Sequence, residues 1–135
     1  MLYLYHQNNL SKIVYKTHVQ LARKPNLSIV KSLCEKELFS YESRLKLTKE
    51  RLNIKIKIPI YINPKTLLFP IKSPKRYDNY WLNYFEIFSY EAFFEKTIIL
   101  FYSLDEVIVN LSFKSFKKLY DKAKKLANYF QTLNP

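Results

Sequence analysis

The stretch SFKSFKKLYDKAKKLANYF, residues 112–130, predicts the longest helix of the chain. Its apolar residues recur every three or four positions, which is the period of a helix with one buried face. They are Phe113, Phe116, Tyr120, Ala123, Ala127 and Phe130. Lysines cover the remaining face, namely Lys114, Lys117, Lys118, Lys122, Lys124 and Lys125. Ser112 can cap the first turn. Such a helix needs an apolar surface to cover, and the residues upstream must supply it.

Alternating residues upstream predict that this surface is a β-sheet. Residues 54–62 carry isoleucine at every second position, and Lys55, Lys57, Pro59 and Tyr61 occupy the positions between. Pro59 has no backbone donor, so we expect this strand to lie at a sheet edge or to leave the Pro59 position unpaired. Residues 12–22 alternate as well and predict a second strand. A turn at residues 63–65 leads into a strand over 66–71. Aromatic and β-branched runs predict further strands within 80–90, 96–102 and 107–111.

Two short helices are predicted before the clearest strand. Asn26 can cap the first, whose apolar stripe is Leu27, Val30, Leu33 and Cys34. Ser40 can cap the second, with Tyr41, Leu45, Thr48 and Leu52 at helical spacing. The predicted fold class is therefore α+β: an antiparallel β-sheet meander with two short helices near the N-terminus and a long amphipathic C-terminal helix. We expect a single domain over residues 1–135.

Composition favours a cytoplasmic protein. The chain has 135 residues and 48% hydrophobic content, enough for a core without disulfides or metals. No apolar run reaches the roughly 18 residues that cross a bilayer, and no secretory signal opens the sequence. One cysteine, Cys34, cannot form an internal disulfide, which suits a reducing compartment. We expect Cys34 to be a packing residue.

The net charge of +12 indicates a polyanionic partner, with nucleic acid first and an anionic membrane surface second. An AT-rich genome also favours lysine, and this alternative explains the number of lysines better than the imbalance of signs. The net charge is +12 over residues 1–76, −5 over 77–112 and +5 over 113–135. We therefore expect the positive field on the N-terminal half and the last helix.

No catalytic constellation is visible. The chain has no glycine, which excludes the glycine loops that bind ATP phosphates and dinucleotides. Its only imidazoles, His6 and His18, cannot complete a usual metal site with one cysteine. We expect no enzyme activity, no cofactor and no metal.

Two basic clusters are candidate DNA contacts. The segment LFPIKSPKRYDNYWLN, residues 68–83, contains a polar loop with Lys72, Lys75 and Arg76, followed by Trp81, which we expect to be anchored in the core. Short basic loops can enter a narrow minor groove. The second predicted helix adds Arg44, Lys46, Lys49 and Arg51.

The motifs in and around this segment resemble the competence transcription factor (ComK) family. The resemblance is strongest over residues 40–81 and covers roughly residues 20–130. It is carried by Pro59, Asn63, Pro64, Phe69, Pro70, Ser73, Pro74 and Trp81. Lys24, Pro25, Ile29, Val30, Cys34, Ser40, Tyr41 and Arg44 follow the family order upstream, as do Ser112, Phe113 and Phe116 downstream. Three positions depart from the pattern: Ser43 replaces a glycine, Ile71 replaces a threonine, and the cysteine before Trp81 is missing.

The resemblance implies a transcription factor that binds AT-rich promoter boxes through the minor groove and activates DNA-uptake genes. It also implies double-stranded DNA as partner, a homo-oligomer on DNA, and a degradation adaptor protein. Two alternatives remain open. A shortened family member can act as a regulatory decoy through protein contacts, without activating transcription. A protein held on a membrane surface by its last helix would use the same lysines.

Overall fold

The computed structural model describes residues 1–133 and has the predicted α+β class. Its strands are β1 Tyr3–Gln7, β2 Leu10–Val14, β3 Val19–Ala22, β4 Ile60–Asn63, β5 Thr66–Pro70, β6 Tyr80–Asn83, β7 Ile87–Phe93, β8 Lys96–Phe101 and β9 Glu106–Val109. Its helices are α1 Asn26–Lys36, α2 Tyr41–Leu52 and α3 Phe113–Leu133, with a 3-10 turn at Tyr84–Glu86. The two short helices and the long C-terminal helix are confirmed.

The strands form two antiparallel sheets rather than one. Six strands are ordered β3-β2-β1-β6-β5-β4, and β7-β8-β9 form a separate meander. Helices α1 and α2 cover one face of the larger sheet, where Val30 and Cys34 pack with the fully buried Trp81. The smaller sheet and α3 cover the other face, where Phe101 and Phe116 join the core. The large sheet is thus buried between two layers over much of its area.

The C-terminal helix docks on the sheet as predicted. Phe116 and Ala123 are fully buried against the sheet. Leu119 and Leu126, which the predicted stripe did not include, are buried beside them. Phe113 stays 38% exposed at the helix start. The hydroxyl of Ser112 accepts a hydrogen bond from the Ser115 backbone amide at 3.2 Å, which confirms this cap.

Two predicted strands are shorter than expected. Residues 12–22 form a hairpin, with a turn at residues 15–18 between β2 and β3. Of residues 54–62, only the part from Ile60 is a strand. The segment before it bends because Lys57 adopts a left-handed backbone, with φ 47°. Ile56 is consequently 68% exposed, although its alternation partners are buried. The edge position is confirmed, since β4 is an outer strand that Pro59 directly precedes.

The prediction that Asn26 caps α1 is wrong. Pro25 holds the cap position without a side-chain hydrogen bond. Asn26 is buried instead: its amide oxygen accepts from the Ser11 hydroxyl at 2.7 Å, and its amide nitrogen donates to the Asn79 carbonyl at 2.9 Å. A buried amide needs several partners, and the chain supplies them across the fold. The cap by Ser40 is confirmed by a hydrogen bond from the Ser43 amide.

No helix in residues 1–133 combines the length and apolar character that crossing a membrane requires.

Candidate nucleic-acid interface

A bent segment between α2 and β4, residues 53–57, lies beside lysines of both α2 and α3, and we call it the basic ridge. It begins at Asn53, whose left-handed backbone (φ 54°) ends α2. The ridge then turns again at Lys57. Between these two points, the side chains of Lys55 and Ile56 project into solvent.

Three shallow depressions meet at the ridge. The first is lined by Lys46, Lys49, Glu50, Asn53 and Lys55. The second, toward α3, is lined by Asn53, Ile54, Lys55, Ile56, Lys118, Asp121, Lys122 and Lys125. The third, toward the Ser73–Pro74 turn, is lined by Leu45, Lys55, Ile56, Lys57, Ile58, Ser73 and Pro74. Lys55 borders all three, and Ile56 borders the second and the third.

Lysines of α3 hold the ridge in place. The Lys122 ammonium donates to the Ile56 carbonyl at 2.9 Å, and the Lys125 ammonium donates to the Leu52 carbonyl at 2.7 Å. Burial lowers the pKa of Lys122, and the nearby charges of Lys57 and Lys118 lower it further. Positive charges are therefore crowded here, and an anion bound at this place would relieve their repulsion.

The predicted loop of Lys72, Lys75 and Arg76 is held by several hydrogen bonds, and its charge is partly neutralised. The Asn79 side chain accepts a hydrogen bond from the Lys72 amide and donates to the Lys72 and Ser73 carbonyls. The Asp78 carboxylate accepts from the Lys72 ammonium at 2.8 Å and from two Arg76 nitrogens at 3.0 Å. These hydrogen bonds hold the pKa of Asp78 well below its usual range. Among the described residues, Lys75 is the one cation of the loop without an ion pair.

The four predicted residues of α2 divide between two faces. Lys46 and Lys49 are exposed and line the first depression. The Arg44 guanidinium points inward: it donates to the Tyr61 carbonyl at 2.9 Å and lies 3.7 Å from the centre of the Phe39 ring. Arg51 borders an apolar groove between α2 and α3 and donates to the Tyr129 hydroxyl at 3.2 Å. The structure therefore brings Lys46 and Lys49 to the ridge, and Arg44 and Arg51 to the opposite side of α2.

Sequence reasoning missed five residues of this surface, namely Lys55, Lys57, Lys118, Lys122 and Lys125. Lys55 and Lys57 were expected on the wet face of a strand, and the others as the polar cover of a helix. Asn53 carried a usable signal, because asparagine after a helical pattern is typical of a helix end with a left-handed residue. The convergence of the lysines depends on how α3 packs, which no local pattern contains.

Cys34 is buried beside the sheet, as expected of a packing residue. Burial raises the pKa of its thiol to about 11. In residues 1–133, no three His, Cys, Asp or Glu side chains lie close enough together to hold a metal ion.

Comparison with known proteins identifies one family. The model of the ComK protein family matches residues 2–133, nearly the whole chain. No match to the chain was found among curated proteins or among solved structures.

Proposed function

The chain belongs to the ComK family of competence transcription factors, and on that premise we propose that it binds AT-rich double-stranded promoter DNA through the basic ridge. The observation that carries this proposal is the meeting of lysines from three parts of the chain at residues 53–57: α2, the ridge itself and α3. Lysines that converge on a solvent-exposed surface neutralise phosphates and release counterions.

The shape of the ridge supports binding at the minor groove. A minor groove is about 6 Å wide and is bordered by the two phosphate backbones. An exposed segment with a depression on each side is compatible with this outline: Lys55 and Ile56 would face the groove, and the backbones would lie in the depressions. The α3 lysines then contact one backbone, and the Ser73–Pro74 turn with Lys75 approaches the other.

Selectivity for AT-rich DNA follows from the same geometry. A-tracts have a narrow minor groove with enhanced negative potential, which favours inserted lysine side chains. AT base pairs also lack the amino group that guanine places in this groove, so Ile56 can approach their edges without desolvating a donor. In this proposal Lys72 and Arg76 contribute less than Lys75, because Asp78 already neutralises part of their charge.

A competition titration tests this function. A labelled AT-rich duplex is displaced from the protein by unlabelled AT-rich or GC-rich duplexes of equal length, and by a small molecule that occupies the minor groove of A-tracts. We expect displacement by the AT-rich duplex and by the minor-groove compound at lower concentration than by the GC-rich duplex. Equal competition by both duplexes would leave only nonspecific polyanion binding.

Activation is tested in cells. We expect the chain, expressed alone, to raise the output of a reporter fused to an AT-box promoter of a DNA-uptake gene. DNA binding without any rise in output would favour the regulatory decoy over the activator.

A further inference from the structure

The strand β3 is an open edge of the six-stranded sheet. Its one strand neighbour is β2, and its side chains Val19 and Leu21 are 52% and 58% exposed. The opposite edge differs, since Pro59 precedes β4, and α2 and α3 pack against it. Natural sheets usually protect their edges with proline, charge, a covering element or a very short strand; β3 is only four residues long, and residues 19–22 have none of the other three.

The backbone of β3 is oriented to accept another strand. The Tyr15 amide donates to the His18 carbonyl at 2.9 Å, so these two residues form a hydrogen-bonded pair at the end of the hairpin. Hydrogen-bonded pairs alternate along an antiparallel ladder. Gln20 therefore pairs with Ile13 toward β2, whereas Val19 and Leu21 direct their amide and carbonyl groups outward.

The strand β9 is an open edge of the smaller sheet, with opposite charge. The Phe101 amide donates to the Asp105 carbonyl at 2.9 Å, and by the same alternation Glu106 and Ile108 direct their backbone groups outward. Both side chains are exposed, Ile108 by 43%. Asp105 directly precedes β9 and Glu106 is its first residue, whereas Arg23 and Lys24 directly follow β3.

We propose that β3 of one molecule pairs in antiparallel orientation with β9 of a second copy of this chain. The outward residues set the register: Val19 lies opposite Ile108, and Leu21 lies opposite Glu106. Two exposed apolar side chains then cover each other, and Arg23 lies diagonally from Glu106, within reach of a charge pair.

Pairing of β3 with the β3 of another copy is disfavoured. Antiparallel self-pairing would place Lys16 of each chain near Arg23 and Lys24 of the other, and like charges across strands are destabilising. Pairing with β9 replaces this repulsion with attraction. The contact is head-to-tail and joins different surfaces of the two copies, so it can continue from molecule to molecule.

The contact is small and its affinity in free solution is low. Two four-residue strands bury far less than the roughly 1,200 Å² that a stable interface needs. Association therefore rises with local concentration, as on DNA that carries several sites. This self-association does not depend on the proposed DNA contact, because neither strand lines the depressions at the basic ridge.

Cysteine cross-linking of the free protein detects such a weak contact. Hydrogen-bonded cross-strand residues have Cα atoms about 5.5 Å apart, which suits a disulfide. Purified Val19→Cys and Ile108→Cys variants are mixed in low salt and oxidised, with Leu38→Cys, a more exposed leucine in neither strand, as the control. We expect the mixture to give a disulfide-linked dimer, and each variant alone, or with Leu38→Cys, to give several-fold less.

Charge exchange tests the partner surface. Adding Arg23→Glu to the Val19→Cys variant should reduce cross-linking several-fold, and adding Glu106→Lys to the Ile108→Cys partner should restore it. Cross-linking of Val19→Cys with itself at the level of the mixture would overturn the proposal in favour of a symmetric pair. Cross-linking of the mixture no stronger than the Leu38→Cys control would also overturn it.

Discussion

At the scale of single residues, position decides what a charge can do. Arginine commonly contacts phosphate, but the Arg44 guanidinium already donates a hydrogen bond to the Tyr61 carbonyl and lies over the Phe39 ring. Lys55, in contrast, has no hydrogen bond or ion pair in the structure described for residues 1–133 and borders all three depressions. The proposed DNA surface therefore depends on which basic side chains are free, more than on how many there are.

Ile56 should contribute to sequence preference and not to electrostatic affinity. It is 68% exposed at the top of the ridge and carries no charge. Changing Ile56 to Ala should reduce the preference for AT-rich over GC-rich duplexes several-fold, because the apolar contact with base edges is lost. The salt dependence of binding should stay as in the wild type. Leu38→Ala, at an exposed leucine distant from the ridge in sequence, is the control. An equal loss of the AT preference in both variants would show that Ile56 does not contact the DNA.

Asp78 should weaken DNA binding, since it neutralises Lys72 and Arg76. Asp78→Asn frees both cations, so we expect tighter binding to any duplex and a slope of log affinity against log salt that is steeper by roughly one unit per freed phosphate contact. Glu95→Gln is the matched control, because it makes the same change of charge at an exposed residue in the turn between β7 and β8, outside the three depressions. Unchanged affinity of Asp78→Asn would place the loop away from DNA.

Two buried ionisable groups, the Cys34 thiol and the Tyr41 hydroxyl, should make the protein less stable at alkaline pH. Burial raises the pKa of Cys34 to about 11 and that of Tyr41 to about 12, from ordinary values of 9.0 and 10.0. The folded state therefore keeps these protons to higher pH than the unfolded state does. Below pH 9 these two groups should leave the free energy of unfolding unchanged. As pH rises from 9 toward 12, the free energy of unfolding should fall by at most about 1.4 kcal/mol per pH unit for each group.

Urea titrations across the range from neutral to alkaline pH measure this decline. The Cys34→Ala variant should lack the part of the decline that begins nearest pH 9. A free energy of unfolding that rises with pH in this range would contradict the burial of both groups.

At the scale of elements, the sequence predicted best where one local pattern acts alone. The period of α3 and its Ser112 cap were sufficient, because an amphipathic helix of this length needs only a surface to cover. The regular alternation of residues 54–62 predicted a longer strand than the structure has, because the chain bends at Lys57 on its way from α2 to the sheet edge. Asn26 was predicted wrongly as a helix cap because its side chain forms hydrogen bonds with Ser11 and Asn79, which are distant in sequence.

The candidate site was predicted only in part for the same reason. Lys46 and Lys49 lie where the second helix was expected to present them. The α3 lysines join them only because that helix packs across the sheet beside residues 52–56, where it forms hydrogen bonds to backbone carbonyls. Long-range packing of this kind leaves no periodic trace in the sequence.

The packing of α3 gives a stability prediction at this scale. Phe116 is fully buried, and its ring lies 5.9 Å from that of Phe69 in the sheet and 4.9 Å from that of Tyr90. Phe116→Ala should lower the free energy of unfolding by about 3–5 kcal/mol. Phe113→Ala, at the exposed start of the same helix, should cost clearly less. Equal, small losses in chemical denaturation would show that α3 does not dock on the sheet.

At the scale of the whole molecule, the two signs of charge are separated. Acidic residues of the segment 77–112 lie mostly in and around the smaller sheet, and only Asp78 reaches the Ser73–Pro74 loop. The ridge and its depressions bring together lysines from the middle of the sequence and from the C-terminal helix. One end of the molecule can thus attract DNA while the acidic sheet edge attracts the basic edge of another copy.

The salt dependence of DNA binding by a ridge variant tests the central claim most directly. Lys55→Ala/Lys57→Ala is compared with Lys36→Ala/Lys96→Ala, which removes the same charge from α1 and β8, away from the depressions. If the wild type neutralises about six phosphates, its slope of log affinity against log salt is near −5, and the ridge variant should lose roughly two units of that slope. The control should keep the wild-type slope. Equal slopes for the two variants would contradict the claim that residues 53–57 form the DNA contact.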